Sequence, residues 1–211
     1  MIDRLLEIPL PVPRQIVVIN DGSTDGTREV LDGLPPVAGV LSIVHAAANG
    51  GKGSAIRTGL AHARGTILAI QDADLELDPL QLADLVQPIV NGDADVVYGS
   101  RFLEGRPPGP WLSVAANRTL TGVTNVLFGG RLTDMETCYK VMRTPIARSL
   151  NLESNRFDIE PEITAKILKR RIRIYEVPIS YMGREFDEGK KITWRDGFAA
   201  LWTLVKFRVG N

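Results

Sequence analysis

Cysteine is almost absent from this chain, which has only Cys138 among its 211 residues. A single cysteine cannot form an intramolecular disulfide, so we expect a reducing compartment, by default the cytoplasm. The sequence also lacks any run of about 18 or more apolar residues, the length that a membrane-spanning helix requires, and it shows no signal peptide. We therefore expect any membrane contact to be peripheral, at the cytoplasmic face.

The chain has no net charge, yet its charges are unevenly placed. Residues 1–100 carry 6 basic and 13 acidic side chains, whereas residues 101–211 carry 19 and 12. An acidic half suits a metal ion and a ribose, and a basic half suits phosphates or an anionic membrane surface. Nothing in this pattern calls for nucleic acid. The length indicates one domain with a substantial core.

Short β-branched runs alternate with helical patterns along the chain. This alternation predicts an α/β domain with a mostly parallel sheet flanked by helices. The predicted strands are residues 15–20, 40–44, 66–70 and 94–98, and the predicted helices are residues 52–64, 80–91 and 111–127.

Three acidic side chains follow the apolar strand at residues 66–70. Asp72, Asp74 and Glu76 alternate along the chain, so a loop at this point could direct all three toward one ligand. Carboxylate oxygens are the donors that Mg²⁺ or Mn²⁺ prefers, and such a metal would hold a diphosphate. The alternative is an ordinary solvated acidic loop.

A second polar turn follows the strand at residues 15–20. Asp21 lies at the carboxyl end of that strand, where open α/β sheets bind ligands, and Ser23 or Thr24 can cap the helix that follows. An ordinary strand-to-helix turn is the alternative, because Asp-Gly-Ser is common turn chemistry.

These motifs, in their order along the chain, resemble the family 2 glycosyltransferases of GT-A fold. Further motifs resemble the dolichol-phosphate mannosyltransferase branch of polyprenyl-phosphate glycosyltransferases, and the likeness covers roughly residues 15–208. It implies one domain over residues 1–211, with a nucleotide-sugar and metal half to about residue 100 and an acceptor half after it. The motifs are Asp21–Thr27, Gly51-Lys52-Gly53, Asp72–Glu76, Gly99–Phe102, Leu132–Thr137, Asn155–Phe157 and Glu176–Tyr181.

The resemblance implies an inverting, metal-dependent transfer of a hexose, mannose or glucose, to a polyprenyl phosphate such as dolichyl or undecaprenyl phosphate. The donor would be a nucleotide-sugar of the GDP-mannose or UDP-glucose type, and the cofactor Mg²⁺ or Mn²⁺. By the same resemblance, the metal ligands would be Asp72, Asp74 and Glu76, the donor would be bound by Asp21, Ser23, Lys52, Asp72, Ala73, Arg118 and Lys190, and the catalytic residues would be Asp134, Glu136 and Arg101.

One part of the family pattern is not found in this sequence. Relatives begin with a strand that supplies part of the nucleoside pocket, whereas Met1–Ile8 looks like the end of the helix that follows it. Without that strand, backbone groups of two strands would lack partners. We expect that the sequence starts late, or that a partner chain, a homo-oligomer or a rearranged segment fills the gap. The rival to an active enzyme is a catalytically impaired subunit that binds a nucleotide-sugar or a partner, or a truncated enzyme fragment.

The C-terminal residues contain an aromatic and aliphatic stripe at helical spacing. Such a stripe most often packs in the core, which is our first interpretation. Because cations flank it, an interfacial helix at the bilayer surface is the alternative. The stripe consists of Trp194, Phe198, Leu201, Trp202 and Val205, and the cations are Lys190, Lys191, Lys206 and Arg208.

Overall fold

The computed structural model describes residues 1–74, 76–182 and 194–210 of the chain. Strands and helices alternate, so the α/β prediction is confirmed. In chain order the elements are α1 (Ile2–Glu7), β1 (Ile16–Asn20), α2 (Thr27–Asp32), β2 (Leu41–His45), α3 (Lys52–His62), β3 (Ile67–Ala69), a 3₁₀ turn (Pro79–Gln81), α4 (Leu82–Asn91), β4 (Val96–Ser100), α5 (Trp111–Phe128), β5 (Lys140–Arg143), α6 (Thr144–Ser149), α7 (Ile159–Lys169), β6 (Ile174–Pro178) and α8 (Trp194–Val209).

Local sequence explains where the predicted helices begin and end. Helix α5 runs one residue beyond its predicted end and stops at Gly129, whose φ of 68° is the left-handed conformation that ends many helices. Helix α4 ends in the same way at Gly92 and tolerates Pro88 in its interior. Helix α3 is two residues shorter than predicted.

The strands form two separate sheets rather than one. β1 and β2 pair in parallel, and the other four strands lie in the order β3-β5-β4-β6. β4 and β6 are parallel, but β5 is antiparallel to both β3 and β4. The reversed β5 is a difference from the mostly parallel prediction, because a four-residue strand carries no signal of its direction.

One edge of β1 has no strand neighbour among the described residues. The N–H of Ile16 donates to the carbonyl of Val40 at 2.6 Å, so Ile16 directs its backbone toward β2. Because backbone groups alternate in direction along a strand, Val17 and Ile19 direct theirs away from β2. All four apolar side chains of β1 are only half-buried. The β1–β2 pair therefore presents an open edge and an incomplete apolar surface.

One edge of β3 is open in the same way within the described ranges. The N–H of Ile70 donates to the carbonyl of Lys140 at 3.1 Å, which fixes the pairing with β5. Ile67 and Ala69 consequently direct their backbone groups away from β5. The unpaired backbone groups that the sequence predicts lie at these two edges.

The core lies around the second sheet, which is the four-stranded sheet β3-β5-β4-β6. Val97 and Val141 pack with the apolar face of α4, and on the other face Tyr98 and Met142 pack with α7. Every residue of β4 is buried. A third cluster joins α5, α7 and α8 through Leu120, Met135, Ala165, Ala200, Leu204 and Phe207.

Helix α8 does not bury the stripe that the sequence singles out. Phe198 and Trp202 are 66% and 70% exposed and Val205 is 46% exposed, so the core interpretation is wrong for these residues. The buried face is Ala200, Leu204 and Phe207, which has helical spacing too, so α8 carries two apolar faces. Within the described ranges, none of the helices is long and apolar enough to cross a bilayer. The side chain of Trp194 lies outside the described residues.

We expect amide hydrogen exchange to distinguish neighbouring residues in β1. The amides of Val17 and Ile19 point to the open edge and should exchange on the order of a hundredfold faster than that of Val18, which points to β2. In β3, Ile67 and Ala69 should likewise exchange faster than Leu68. NMR-detected exchange on the chain alone measures this, and equal protection of Val17 and Val18 would show that the edge is occupied.

Candidate active site

The predicted site residues gather at one rim of the second sheet. Asp72 follows β3, Arg101 follows β4 and Tyr181 follows β6. Because β5 runs antiparallel to its neighbours, the loop before it, which carries Asp134 and Glu136, lies at the rim where those neighbours end. Open α/β sheets bind ligands at the carboxyl ends of their strands, so this rim is the candidate active site.

Arg101 and Asp134 form a two-pronged ion pair at the centre of the rim. Nε of Arg101 lies 2.7 Å from Oδ2 of Asp134, and a terminal nitrogen lies 2.8 Å from Oδ1. Asp134 is fully buried. Burial lowers the pKa of Arg101, but the hydrogen bonds and charge of Asp134 raise it above its ordinary value, so the guanidinium stays charged. Both oxygens of Asp134 are engaged by Arg101, which fixes the guanidinium in place.

The loop that carries Asp134 is held by the side chains of Glu176 and Lys140. The carboxylate of Glu176 accepts hydrogen bonds from the backbone N–H groups of Thr133, at 2.9 Å, and Asp134, at 3.1 Å. Burial raises the pKa of Glu176, although these bonds counteract the rise. The fully buried Lys140 donates to the carbonyls of Met135, at 3.0 Å, and Thr137. The position of Asp134 is therefore determined by several long-range contacts.

Tyr181 connects the Arg101–Asp134 pair to the acidic loop. The guanidinium carbon of Arg101 lies 5.2 Å from the centre of the Tyr181 ring. Burial raises the pKa of Tyr181, and the charge and hydrogen bond of Glu76 raise it further. The backbone N–H of Met182 also donates to the carbonyl of Glu76 at 2.9 Å. The basic and acidic sides of the rim thus meet at this ring.

The carboxylates of the acidic loop are not already arranged to coordinate a metal ion. Among the described residues, no group of three or more histidine, cysteine or acidic side chains is placed to hold a metal ion, so Asp72, Asp74 and Glu76 do not converge. Mg²⁺, however, usually takes one or two carboxylates and completes its shell with water and the oxygens of a bound phosphate. Asp72 is one-third exposed. Two carboxylates of this loop and a diphosphate therefore fit such an ion.

Lys52 is the first residue of α3, and its side chain contacts Asp72. Its Nζ is 2.8 Å from Oδ2 of Asp72 and 2.6 Å from Oε1 of Glu160. Burial lowers the pKa of Lys52, but the neighbouring acidic groups Cys138, Glu160 and Asp72 raise it well above its ordinary value. The predicted donor contact is therefore a charged lysine that already bridges two carboxylates.

Asp21 fixes the loop that opens α3. Its carboxylate accepts hydrogen bonds from the N–H groups of Gly50, at 2.9 Å, and Gly51, at 2.7 Å. Gly51 has a φ of 89°, and a Cβ there would lie 2.5 Å from the carbonyl oxygen of Asn155, so only glycine fits. Ser23 is exposed in the preceding turn. The structure brings Asp21 close to the loop that carries Lys52, on the side of the rim next to β1.

The remaining predicted residues lie at the periphery of the rim or outside the described ranges. Arg118 is exposed and its guanidinium lies 5.4 Å from the centre of the Phe102 ring, beside a cavity of about 270 Å³. Ala73 is exposed at the start of the acidic loop. Lys190 lies outside the described residues.

Glu136 is an ionisable group of the rim whose pKa is changed by its surroundings. Burial and the charge of Glu160 raise its pKa, Lys140 and Arg101 lower it, and the net result is a pKa of about 7. Within the described part of the chain, its Oε1 is buried and accepts no hydrogen bond. A carboxyl group that titrates near neutral pH is suited to accept a proton.

No role was predicted for three residues that support this site, namely Glu160, Glu176 and Lys140. Glu160 and Glu176 bond to residues far along the chain, and the ammonium of Lys140 lies over the distant ring of Tyr98, which a motif does not show. A signal was present for Glu160, because it has helical spacing with Ile163 and Ile167 on the apolar face of α7. A charged residue on an apolar face is almost always paired.

Comparison with known families identifies one match. The family model described as glycosyl transferase family 2 matches residues 1–150.

Relatives and solved structures agree with that match. The chain is 28% identical to an undecaprenyl-phosphate mannosyltransferase of Micrococcus luteus, over 92% of this chain and 87% of that protein. It is 30% identical to the low-salt glycan biosynthesis hexosyltransferase Agl6 of Haloferax volcanii, over 92% of this chain and 45% of that protein. The fold resembles glucosyl-3-phosphoglycerate synthase from Mycobacterium tuberculosis in complex with Mn²⁺, uridine diphosphate and phosphoglyceric acid, with a TM-score of 0.70 at 19% identity, over 92% of this chain and 68% of that one.

Replacing Glu136 should change how stability depends on pH. Because folding raises the pKa of Glu136, the protonated form stabilises the folded state at low pH, and that stabilisation is lost as pH rises through about 7. The Glu136→Gln variant lacks this loss and should gain stability relative to the wild type between pH 5 and 8, by at most about 1.4 kcal/mol per pH unit. Urea unfolding at both pH values measures the difference, and a pH-independent difference would contradict the shifted pKa.

Proposed function

The chain belongs to glycosyl transferase family 2, and from that membership we propose that it transfers mannose or glucose from a nucleotide-sugar to a polyprenyl phosphate. The observation that carries the proposal is the rim in which a fixed arginine, Arg101, faces an acidic loop across Tyr181. Such a rim offers cations to phosphates and carboxylates to a metal ion. The likeness to an undecaprenyl-phosphate mannosyltransferase over nearly the whole chain supports this acceptor class.

The acidic side of the rim would bind the donor. We assign Asp72 and Asp74 to the metal ion and place Glu76 next to them, with Asp21 toward the nucleoside. A bound Mg²⁺ or Mn²⁺ would neutralise the diphosphate that leaves the sugar. Mn²⁺ accompanies a uridine nucleotide in structures of the mycobacterial synthase, which supports this assignment.

The basic side would bind the acceptor phosphate and hold it in line with the bond that breaks. Arg101 would contact a phosphate, and Asp134 would hold Arg101 in position. A phosphate acceptor is already largely ionised near pH 7, so the reaction needs orientation more than a strong base. Glu136, with its unbonded oxygen, is the group that would take any remaining proton. Attack from the face opposite the leaving diphosphate inverts the anomeric carbon.

The second candidate function is a subunit that binds a nucleotide-sugar or a partner without turnover. The open edges of β1 and β3 favour it, because Asp21 and Asp72 lie on either side of the division between the two sheets. A partner chain or a second copy that pairs with these edges stays a prediction. Turnover separates the two functions.

Helix α8 supports a peripheral membrane contact. Its exposed face presents Phe198, Trp202 and Val209, with Arg208 beside them. An aromatic face flanked by cations is typical of helices that lie in the headgroup region of an anionic bilayer. A polyprenyl phosphate is anchored in a membrane, so such a contact at the cytoplasmic face would bring the rim close to its acceptor.

A transfer assay tests the proposed function. Radiolabelled GDP-mannose or UDP-glucose, with a short polyprenyl phosphate and Mn²⁺, should give a labelled lipid with the wild type. Asp74→Ala should reduce transfer by about a hundredfold or more, because a carboxylate that holds the metal is lost. The control is Asp93→Ala, an exposed acid in the turn after α4. Donor binding without transfer in the wild type would favour the second candidate.

Vesicle binding tests the α8 face separately. Trp202→Ser should weaken binding to phosphatidylglycerol vesicles by roughly tenfold or more, because burying a large apolar side chain is worth about 1.5–3 kcal/mol. Val30→Ser serves as the control, since Val30 is 69% exposed on α2. Sedimentation with vesicles measures both variants, and equal binding would contradict a contact through α8.

A further inference from the structure

Glu160 is a buried carboxylate that contacts the acidic loop through one intermediate. It is the second residue of α7 and only 5% exposed. Its Oε1 lies 2.6 Å from Nζ of Lys52, and the same nitrogen lies 2.8 Å from Oδ2 of Asp72. Three side chains from α7, α3 and the end of β3 thus form one continuous chain of charge-assisted contacts.

The charges of this chain of contacts do not cancel. Asp72 and Glu160 carry two negative charges, and Lys52 carries one positive charge. If Lys52 paired with Asp72 alone, its ammonium would neutralise the carboxylate that a metal–diphosphate complex needs. Because Glu160 shares the ammonium, the three side chains together carry one net negative charge. Glu160 also restrains Lys52, whose side chain is only 17% exposed.

The second oxygen of Glu160 argues against a purely stabilising role. Within the described residues, Oε2 is buried and accepts no hydrogen bond. Leaving a buried polar atom unsatisfied costs about 1–3 kcal/mol. A glutamine or an apolar residue could fill the same space without placing this charge in the interior. Such a cost is more readily understood if the charge serves the neighbouring site.

We propose that Glu160 is a positioning residue that orients Asp72 through Lys52 and preserves the negative charge of Asp72 toward the metal-bound donor. This inference rests on the proposed function. The inference goes beyond that function, because it involves no contact between Glu160 and the donor, the metal or the acceptor.

Calorimetric titration of nucleotide and Mn²⁺ tests the proposal without turnover. The wild type and the Glu160→Gln variant are titrated with GDP-mannose and UDP-glucose, once with Mn²⁺ and once with EDTA. Glu160→Gln should weaken the Mn²⁺-dependent binding by about 10–100-fold, the usual effect of removing a residue that supports a metal ligand. Binding in EDTA should stay unchanged, because the nucleoside contacts are not altered.

The matched control is Glu162→Gln. Glu162 lies on the same helix, is fully buried and has its own lysine, Lys166, at 2.6 Å. This variant should lower the thermal midpoint without affecting the Mn²⁺-dependent affinity. If Glu160→Gln does not fold, Glu160→Asp keeps the charge but withdraws it by one methylene, and it should give an intermediate loss.

The outcomes separate the two proposals. If the wild type shows no Mn²⁺-dependent donor binding, the proposed function fails, and the role of Glu160 fails with it. If the wild type binds and Glu160→Gln binds equally well, only the positioning role is overturned. An equal loss with and without Mn²⁺ would also overturn it, because that pattern indicates general damage to the pocket.

Discussion

The rim of the second sheet depends on one constraint, the pairing of buried cationic side chains with carboxylates. Arg101 is satisfied by Asp134, and Lys52 by Asp72 and Glu160, at distances between 2.6 and 2.8 Å. An unpaired charge in these positions would be too costly to bury, so each cation fixes the carboxylate that faces it. The loops of the rim are held by these pairs as well as by buried apolar residues such as Met135, so the same charged side chains serve both the fold and the site.

Among the described residues the strands form two separate sheets, so strand pairing does not join the two sides of the rim. Asp72 follows β3 of the well-packed second sheet, whereas Asp21 follows β1, whose edge has no strand neighbour within the described ranges and whose apolar side chains are only half-buried. The link between these two sides is the start of α3, where Asp21 binds the N–H groups of Gly50 and Gly51 and Lys52 binds Asp72. A strand that closed the gap would both complete the core of the β1–β2 pair and stiffen the nucleoside side of the site.

Local patterns were sufficient for much of the fold. The β-branched run at β1 and the helical spacing in α5 lie close to their predicted bounds, because each element is decided by neighbouring residues. The direction of β5 and the orientation of α8 were not predictable in this way. Both depend on which of several surfaces the rest of the chain covers, and α8 offers two apolar faces of similar spacing.

In the site, too, local sequence motifs predict some features, whereas others depend on the tertiary structure. Motif resemblance predicts roles for Arg101, Asp134 and Asp72, but it did not show that Asp134 would have both oxygens bonded to Arg101. Nor did it show that Lys52 would lie between two carboxylates. These pairings join residues 20 to 108 positions apart, so they follow from the tertiary structure alone.

The most direct measurement is the anomalous signal of Mn²⁺ in crystals grown with a uridine or guanosine diphosphate. We expect one manganese peak within coordination distance of Asp74 and the diphosphate, with Asp72 beside it and still paired to Lys52. A manganese peak elsewhere on the chain, or a nucleotide bound away from this rim, would contradict it.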